Sequence, residues 1–376
     1  MKQTNYRAGP LLITFKGNSK ILDLIKDEFF EETHSSNNAI DLVISVYDSY
    51  ISDYKPTHYS GKGSMNFNDI QFHIDNDSFY SFEVKNGFGK KKQTELDIFI
   101  KRPGFVRELY RILKGIFSIE YNTRDRFIKS NIATYSLLWS VIALCLLKKE
   151  SSFIHAGVLA RNNNAIVLSG TGGCGKTSTV LHLLSHENFE YLSEDFGIVQ
   201  SDGLAYQCNK SVSLYHSDIK YKSPSAITAY NSMNTKRKLA WFFLSKLFNL
   251  NPILKAEPKF LTKQNITQKP IAIKYGVHLS RENISDISIK EINVAEYALR
   301  STRASIRELK PLTEMLNLIT ANAPDNLNII SVSELEQLMI EIYTKAFSNS
   351  ILYKMQIPIK MPPNLVSSHL LEALEI

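Results

Sequence analysis

Residues 165–178 read AIVLSGTGGCGKTS. The apolar run Ala165 to Leu168 is strand-like. It feeds Gly170, Thr171, Gly172, Gly173, Cys174, Gly175, Lys176 and Thr177, which satisfy G-x-x-x-x-G-K-S/T at every specified position. Beyond them, Ser178 to Ser185 sets Val180, Leu183 and Leu184 at helical spacing, so strand, loop and helix follow in the order a phosphate-binding loop needs. The four glycines let the backbone turn with positive φ and bring its N–H groups close to phosphate oxygens. Lys176 adds a mobile charge for the β- and γ-phosphates, the Thr177 hydroxyl is placed to ligate Mg²⁺, and the helix N-terminus faces the anion. Gly170 to Ser178 is therefore expected to hold the phosphates of a nucleotide.

The rest of the composition narrows the class without naming it. A 376-residue chain with 44% apolar residues can bury a large core and fits two domains, or one with additions. A net charge of +7, from 44 basic against 37 acidic residues, is too mild an excess to mark a nucleic-acid binder. Cys145, Cys174 and Cys208 have neither paired spacing nor an even count, which points to a reducing, cytoplasmic location and away from disulfides or zinc. Cys174 is read as a tolerated residue at a variable loop position rather than a redox site. No secretory signal is visible at the N-terminus. The longest apolar run, Tyr135 to Leu147, has about 13 residues against the roughly 20 that span a bilayer, so a buried helix is expected.

Residues 1–125 carry no catalytic signature and are assigned to an accessory α+β domain. Strands are expected at Leu11–Phe15, Ala39–Val46, Ile70–Ile74, Phe79–Val84 and Leu96–Ile100, in a small, mostly antiparallel sheet, with a helix over Ser19–Phe30. Lys90 to Lys92 read as a solvated hairpin tip. Two helices, Phe105–Phe117 and Asn131–Lys148, lead into a single strand, Phe153–Leu159, and a tight turn at Arg161–Asn164.

FIHAGVLARNNNAIVLSGTGGCGKTSTVLHLL, from Phe153, followed by YLSEDFGIV, from Tyr191, resembles the catalytic domain of HPr kinase/phosphorylase and of HPr-kinase-like proteins from modified-peptide gene clusters. In that family a His-containing strand precedes the phosphate loop, a helix follows it, and a strand ending in two adjacent acids comes next. Here these are His155, Gly170 to Thr177, Thr179 to Leu184, and Glu194 with Asp195. The resemblance implies an α/β fold of mixed sheet, a phosphoenolpyruvate-carboxykinase-like P-loop kinase core over residues 126–376. It also implies ATP with Mg²⁺ and transfer to a Ser or Thr hydroxyl of a peptide or protein. In the family both acids are normally Asp, so Glu194 is a departure.

Independently of the family, Glu194 and Asp195 end a strand-like segment one helix beyond the loop, at the sheet edge where Mg²⁺ and the γ-phosphate belong. Adjacent residues on an extended strand point to opposite faces, which allows one acid to hold metal and the other to take the acceptor proton. Spacing does not say which acid does which; in the kinase mechanism that the resemblance implies, Thr177 and Asp195 take the metal and Glu194 the proton. His155 has two readings of equal weight, an active-site histidine and a buried one bonded to backbone. His182 and His186 are read as surface or packing residues.

Toward the C-terminus, Asp202 and Gly203 join strands Gly197–Gln200 and Leu204–Gln207, and Val212–Tyr215, Ile271–Ser280, Ile287–Ile292 and Tyr353–Ile359 read as further strands. Helices are expected over Lys236–Leu250, Asn293–Leu309 and Val332–Phe347, the last capped by Ser333 with Glu336. Lys236–Leu250 is read as packed on the core, with membrane-surface or substrate docking as alternatives. Arg300, Arg303 and Arg307 form a stripe, read as a solvated face.

Two function classes stand. One is ATP-dependent phosphoryl transfer to a hydroxyl of a peptide, a protein or a small molecule, with Lys176, His155 and Glu194 at the chemistry. The other is a nucleotide-dependent regulatory module without transfer. The oligomeric state is left open, a homo-oligomer included.

Overall fold

The computed structural model describes residues 5–17, 19–29, 31–33, 39–47, 58–60, 63–68, 71–75, 80–86, 93–101, 109, 112, 125, 128–129, 132, 137–185, 188–208, 212–214, 219, 224–232, 235–242, 254–256, 269–322 and 329–376. The architecture is mixed α/β, built on two large mixed sheets. The chain divides into two compact units, residues 1–149 with 309–335, and residues 150–308 with 336–376. The helices are α1 (Lys20–Phe29), α2 (Leu137–Leu147), α3 (Lys176–Leu183), α4 (Pro224–Ser232), α5 (Thr235–Phe242), α6 (Val294–Glu308), α7 (Lys310–Asn322), α8 (Val332–Ala346) and α9 (Pro363–Ala373).

The first unit is a nine-stranded sheet in the order β3-β1-β2-β4-β9-β8-β7-β6-β5. Its strands are β1 (Asn5–Ala8), β2 (Leu11–Lys16), β3 (Glu31–Thr33), β4 (Leu42–Tyr47), β5 (His58–Ser60), β6 (Gly63–Asn68), β7 (Gln71–Asp75), β8 (Tyr80–Lys85) and β9 (Thr94–Ile100). The sheet is larger than the sequence reading expected, and its middle is parallel: β2 pairs β4, and β4 pairs β9, in parallel register. The reason lies in the connection, because β2 returns to β4 through a crossover carrying α1 rather than a hairpin. β4 accordingly buries every residue from Leu42 to Val46, the continuous apolar run of a strand covered on both faces.

α2 is buried from Leu137 through Leu146 and packs against α7, so the long apolar run is a core helix. No helix among the described residues is long and apolar enough to cross a membrane. At its end, Lys148 donates to the Asn86 carbonyl (2.6 Å) and Thr94 Oγ1 (2.7 Å), and Lys149 pairs with Asp41 (2.7 Å). The expected tip at Lys90–Lys92 and nearly all of Phe105–Phe117 lie outside the described residues.

The second unit carries β10 (Ser151–Ile154), β11 (Ala156–Arg161), β12 (Asn164–Gly170), β13 (Glu190–Ser193), β14 (Gly197–Gln200), β15 (Leu204–Tyr206), β16 (Val212–Leu214), β17 (Leu254–Ala256), β18 (Ile271–Glu282), β19 (Ser288–Glu291) and β20 (Ile351–Pro358). The main sheet runs β10-β14-β15-β18-β12-β11-β13, with β20 on β18 and β19 on β20, while β16 and β17 pair separately. β12, β18 and β20 are mutually parallel; β18 and β20 end opposite each other at Glu282 and Pro358, and β12 ends at Gly170, opposite Leu279, three residues short of them. One face buries Ile166, Leu168, Val277 and Leu279 in the cluster that includes α3 and α9. Alternate residues point the other way. There α6 crosses the sheet, with the Tyr297 hydroxyl on the Val167 carbonyl and Ser301 on Ser169.

Two local expectations are corrected. The single strand Phe153–Leu159 is two: the chain breaks at His155, because β10 pairs β14 whereas β11 pairs β12 and β13. The cap of α8 is Ser331 with Glu334, each accepting the other's backbone N–H (3.2 and 2.6 Å), two residues before the expected Ser333 and Glu336. α7 and α9 had no counterpart in the sequence reading. Of Lys236–Leu250, only α5 is described; Trp241 is buried there while Leu239 and Phe242 are exposed.

Candidate functional site

β12 is buried along its whole inner length and ends at Gly170, where the backbone turns with φ 148°. A β-carbon there would lie 2.4 Å from the Leu279 carbonyl oxygen and 2.8 Å from Cys174 Sγ, so no larger residue fits between β18 and the returning loop. Gly173 and Gly175 also have positive φ, 80° and 101°; Gly172 does not. Cys174 is buried beneath the loop, which accords with a packing role. Gly175 is the N-cap of α3 and supplies no side chain to its first-turn amides, so the helix opens toward the loop with those donors uncapped. Ser178 is the third residue of α3.

Lys176 is almost wholly buried. Its Nζ donates to the Gly170 carbonyl (2.7 Å) and the Thr171 carbonyl (3.0 Å) and lies 2.9 Å from His155 Nε2. An ammonium has only donors, so His155 Nε2 accepts and the proton of the neutral ring sits on Nδ1. Nδ1 then donates to the Asp195 carbonyl (2.9 Å), with the Asp195 carboxylate at 3.3 Å. His155 is buried with its ring bonded to backbone, and it also touches the loop lysine and one acid. Its own N–H, orphaned by the break between β10 and β11, is taken by Ser305 Oγ of α6 (2.9 Å).

The acids do not lie on an extended strand. β13 stops at Ser193, and the Phe196 N–H bonds back to the Glu194 carbonyl (2.9 Å) across Asp195, whose φ is 73°. This is the three-residue turn of the rarer hand, a strained conformation for a residue with a β-carbon. It brings both side chains to the same mouth instead of opposite faces. Glu194, buried, accepts a short hydrogen bond from the Thr177 hydroxyl, and Asp195 faces His155. The sequence reading had grouped Thr177 with Asp195; the contacts pair Thr177 with Glu194.

Glu308, the last residue of α6, was missed. Its Oε1 lies 3.8 Å from His155 Nε2 and would stand 3.5 Å from a β-carbon on Gly172, so a third carboxylate borders the loop. The available signal was an acid in the last turn of a helix, where the macrodipole favours a base. Of the arginine stripe, Arg300 pairs with Glu296 (2.8 Å), while Arg303 and Arg307 are exposed, as a solvated face requires. His186 lies outside the described residues.

Behind the loop, Ser169 Oγ meets His278 Nδ1 (3.1 Å) and Ser301 Oγ (2.8 Å). Burial, and then the charges of Arg300, Lys176 and Lys354, lower the His278 pKa from 6.5 to about 4 against the opposing pull of Glu296, so the ring is neutral. No protein-family model matches the chain, and no curated protein matches it at a significant level.

Proposed function

We propose that the chain is an ATP-dependent kinase that transfers the γ-phosphoryl group to a hydroxyl, built on a phosphoenolpyruvate-carboxykinase-like P-loop core in the unit 150–308 with 336–376. The observation that carries this reading is the convergence at one loop of Lys176, His155, the Thr177–Glu194 pair and Asp195. A bare phosphate site needs the loop and its lysine. The acid beside His155 adds a group able to accept a proton.

Thr177 Oγ1 and Glu194 present adjacent hard oxygens, the donors Mg²⁺ takes alongside phosphate oxygens. Mg²⁺ bound there with a nucleotide would neutralise phosphate charge. Glu194 then serves the metal side. Asp195, held against His155 and partly exposed, takes the acceptor proton while the acceptor oxygen bonds the γ-phosphorus and ADP leaves. This reverses the split of roles expected with the resemblance, which spacing alone leaves open. Lys176 spends its three N–H donors on the Gly170 and Thr171 carbonyls and His155, so it must release at least one of them to reach phosphate.

The acceptor is a Ser or Thr of a peptide or protein by the resemblance of Phe153 to Val199, with a small hydroxylated molecule as the other class. The test is transfer of label from γ-labelled ATP to a panel of peptides and metabolites. Asp195→Asn is expected to lower transfer about 100-fold or more while leaving nucleotide affinity nearly unchanged. ATP binding with no transfer to any acceptor, in wild type and variant alike, favours the regulatory module instead.

A further inference from the structure

Arg281 stands near the carboxyl end of β18, two residues beyond Leu279, the register partner of Gly170. Its Nη1 donates to three main-chain carbonyls, Pro358 (2.9 Å), Ile359 (2.8 Å) and Met361 (3.0 Å). These carbonyls line the turn from β20 into α9, and they lock the guanidinium in one orientation. The remaining edge of the fork lies against the loop: a β-carbon on Gly175 would stand 3.1 Å from Nη2 and 3.6 Å from Nε. No carboxylate among the described residues pairs with Arg281.

Gly175 is also where α3 begins, with first-turn amides that no side chain caps. A fixed guanidinium edge and a helix N-terminus thus meet, and the acid at that first turn, Glu194, bonds Thr177 and not Arg281. Two positive potentials held together in this way are relieved by an anion lying across both.

The place of Arg281 on the loop selects the part of the anion. His155, Glu194 and Asp195 make their contacts at Lys176, Thr177 and one another, whereas the Arg281 edge lies against Gly175, in the run of loop amides that cradles α- and β-phosphates. We propose that Arg281 is a nucleotide-binding residue, gripping the α- and β-phosphates of a nucleoside di- or triphosphate from the β18 side. The inference rests on the nucleotide reading of the loop. It adds that the C-terminal turn at Pro358–Met361 presets the affinity, and that ADP keeps the contact.

The experiment is calorimetric titration of the full chain with Mg·ATP and Mg·ADP, in wild type, Arg281→Met and Arg281→Lys, with ligand-free melting of each variant. Arg281→Met is expected to weaken ATP and ADP alike by about 10- to 100-fold, the loss of charge-assisted hydrogen bonds, and Arg281→Lys by less. A purely structural arginine would lower the ligand-free melting temperature and leave affinity unchanged. Wild-type ADP affinity in whichever variant folds overturns the proposal. If wild type binds neither nucleotide, the reading of the loop itself fails, a result obtained without any Arg281 variant, and this inference falls with it.

Discussion

Asp195 combines a left-handed backbone with a side chain aimed at His155. The conformation costs on the order of 1 kcal/mol in a residue with a β-carbon, and glycine would adopt it freely. Asp195→Gly keeps the backbone carbonyl that holds His155 Nδ1 and removes only the carboxylate. The expected outcome is a melting temperature equal to wild type or higher, with label transfer down about 100-fold; retained transfer would remove Asp195 as the proton acceptor. His278 sets a pH dependence of stability. Its folded pKa of about 4 lies below the ordinary 6.5, so the unfolded chain takes up the proton first as pH falls. The contribution of the neutral ring is complete above about pH 6.5 and is lost toward pH 4, a change on the order of 3 kcal/mol. Urea unfolding at pH 7 and at pH 4.5 checks this: wild type loses stability across the interval, and His278→Gln loses distinctly less.

The loop is held in place by the packing of α3 on β11. A β-carbon on Gly157 would come within 2.4 Å of Val180 Cγ2, so the strand and helix meet at bare backbone. Gly157→Ala is expected to cost about 1–3 kcal/mol and to weaken nucleotide binding by displacing the helix, and adding Val180→Ala should restore affinity in part. Melting and nucleotide titration of the single and double variants measure both effects. On β8 and β9, Glu83 lies directly opposite Asp97, a like-charge pair relieved by Lys85, whose Nζ is 3.3 and 3.0 Å from the two carboxylates. Burial pulls the Lys85 pKa down, but Asp97 and Glu83 outweigh it and push it up to about 12. Lys85→Met should therefore destabilise the first unit by about 1–3 kcal/mol at pH 7, read as a lower urea midpoint, because two carboxylates then face each other.

At the scale of the molecule, what the sequence made legible follows physical periodicity. The strand–loop–helix of residues 164–183 was readable because glycine spacing and apolar runs are local signals. The parallel middle of the first sheet was not, since pairing of β2, β4 and β9 depends on crossovers that no single run encodes. Glu194 and Asp195 were found as residues, yet their roles were not legible, because the reversal at Asp195 needs a positive φ that no residue type announces there. Glu308 and Arg281 came from elements whose approach to the loop is set entirely by tertiary packing. The central claim is that the Gly170–Thr177 loop and its two acids form one nucleoside triphosphate site. The most direct measurement is titration of the full chain with Mg·ATP, in wild type and in Lys176→Ala. Saturable binding at one site, weakened about 100-fold or more by the substitution, is the predicted result. Absence of binding in wild type, or equal affinity in Lys176→Ala, would contradict it.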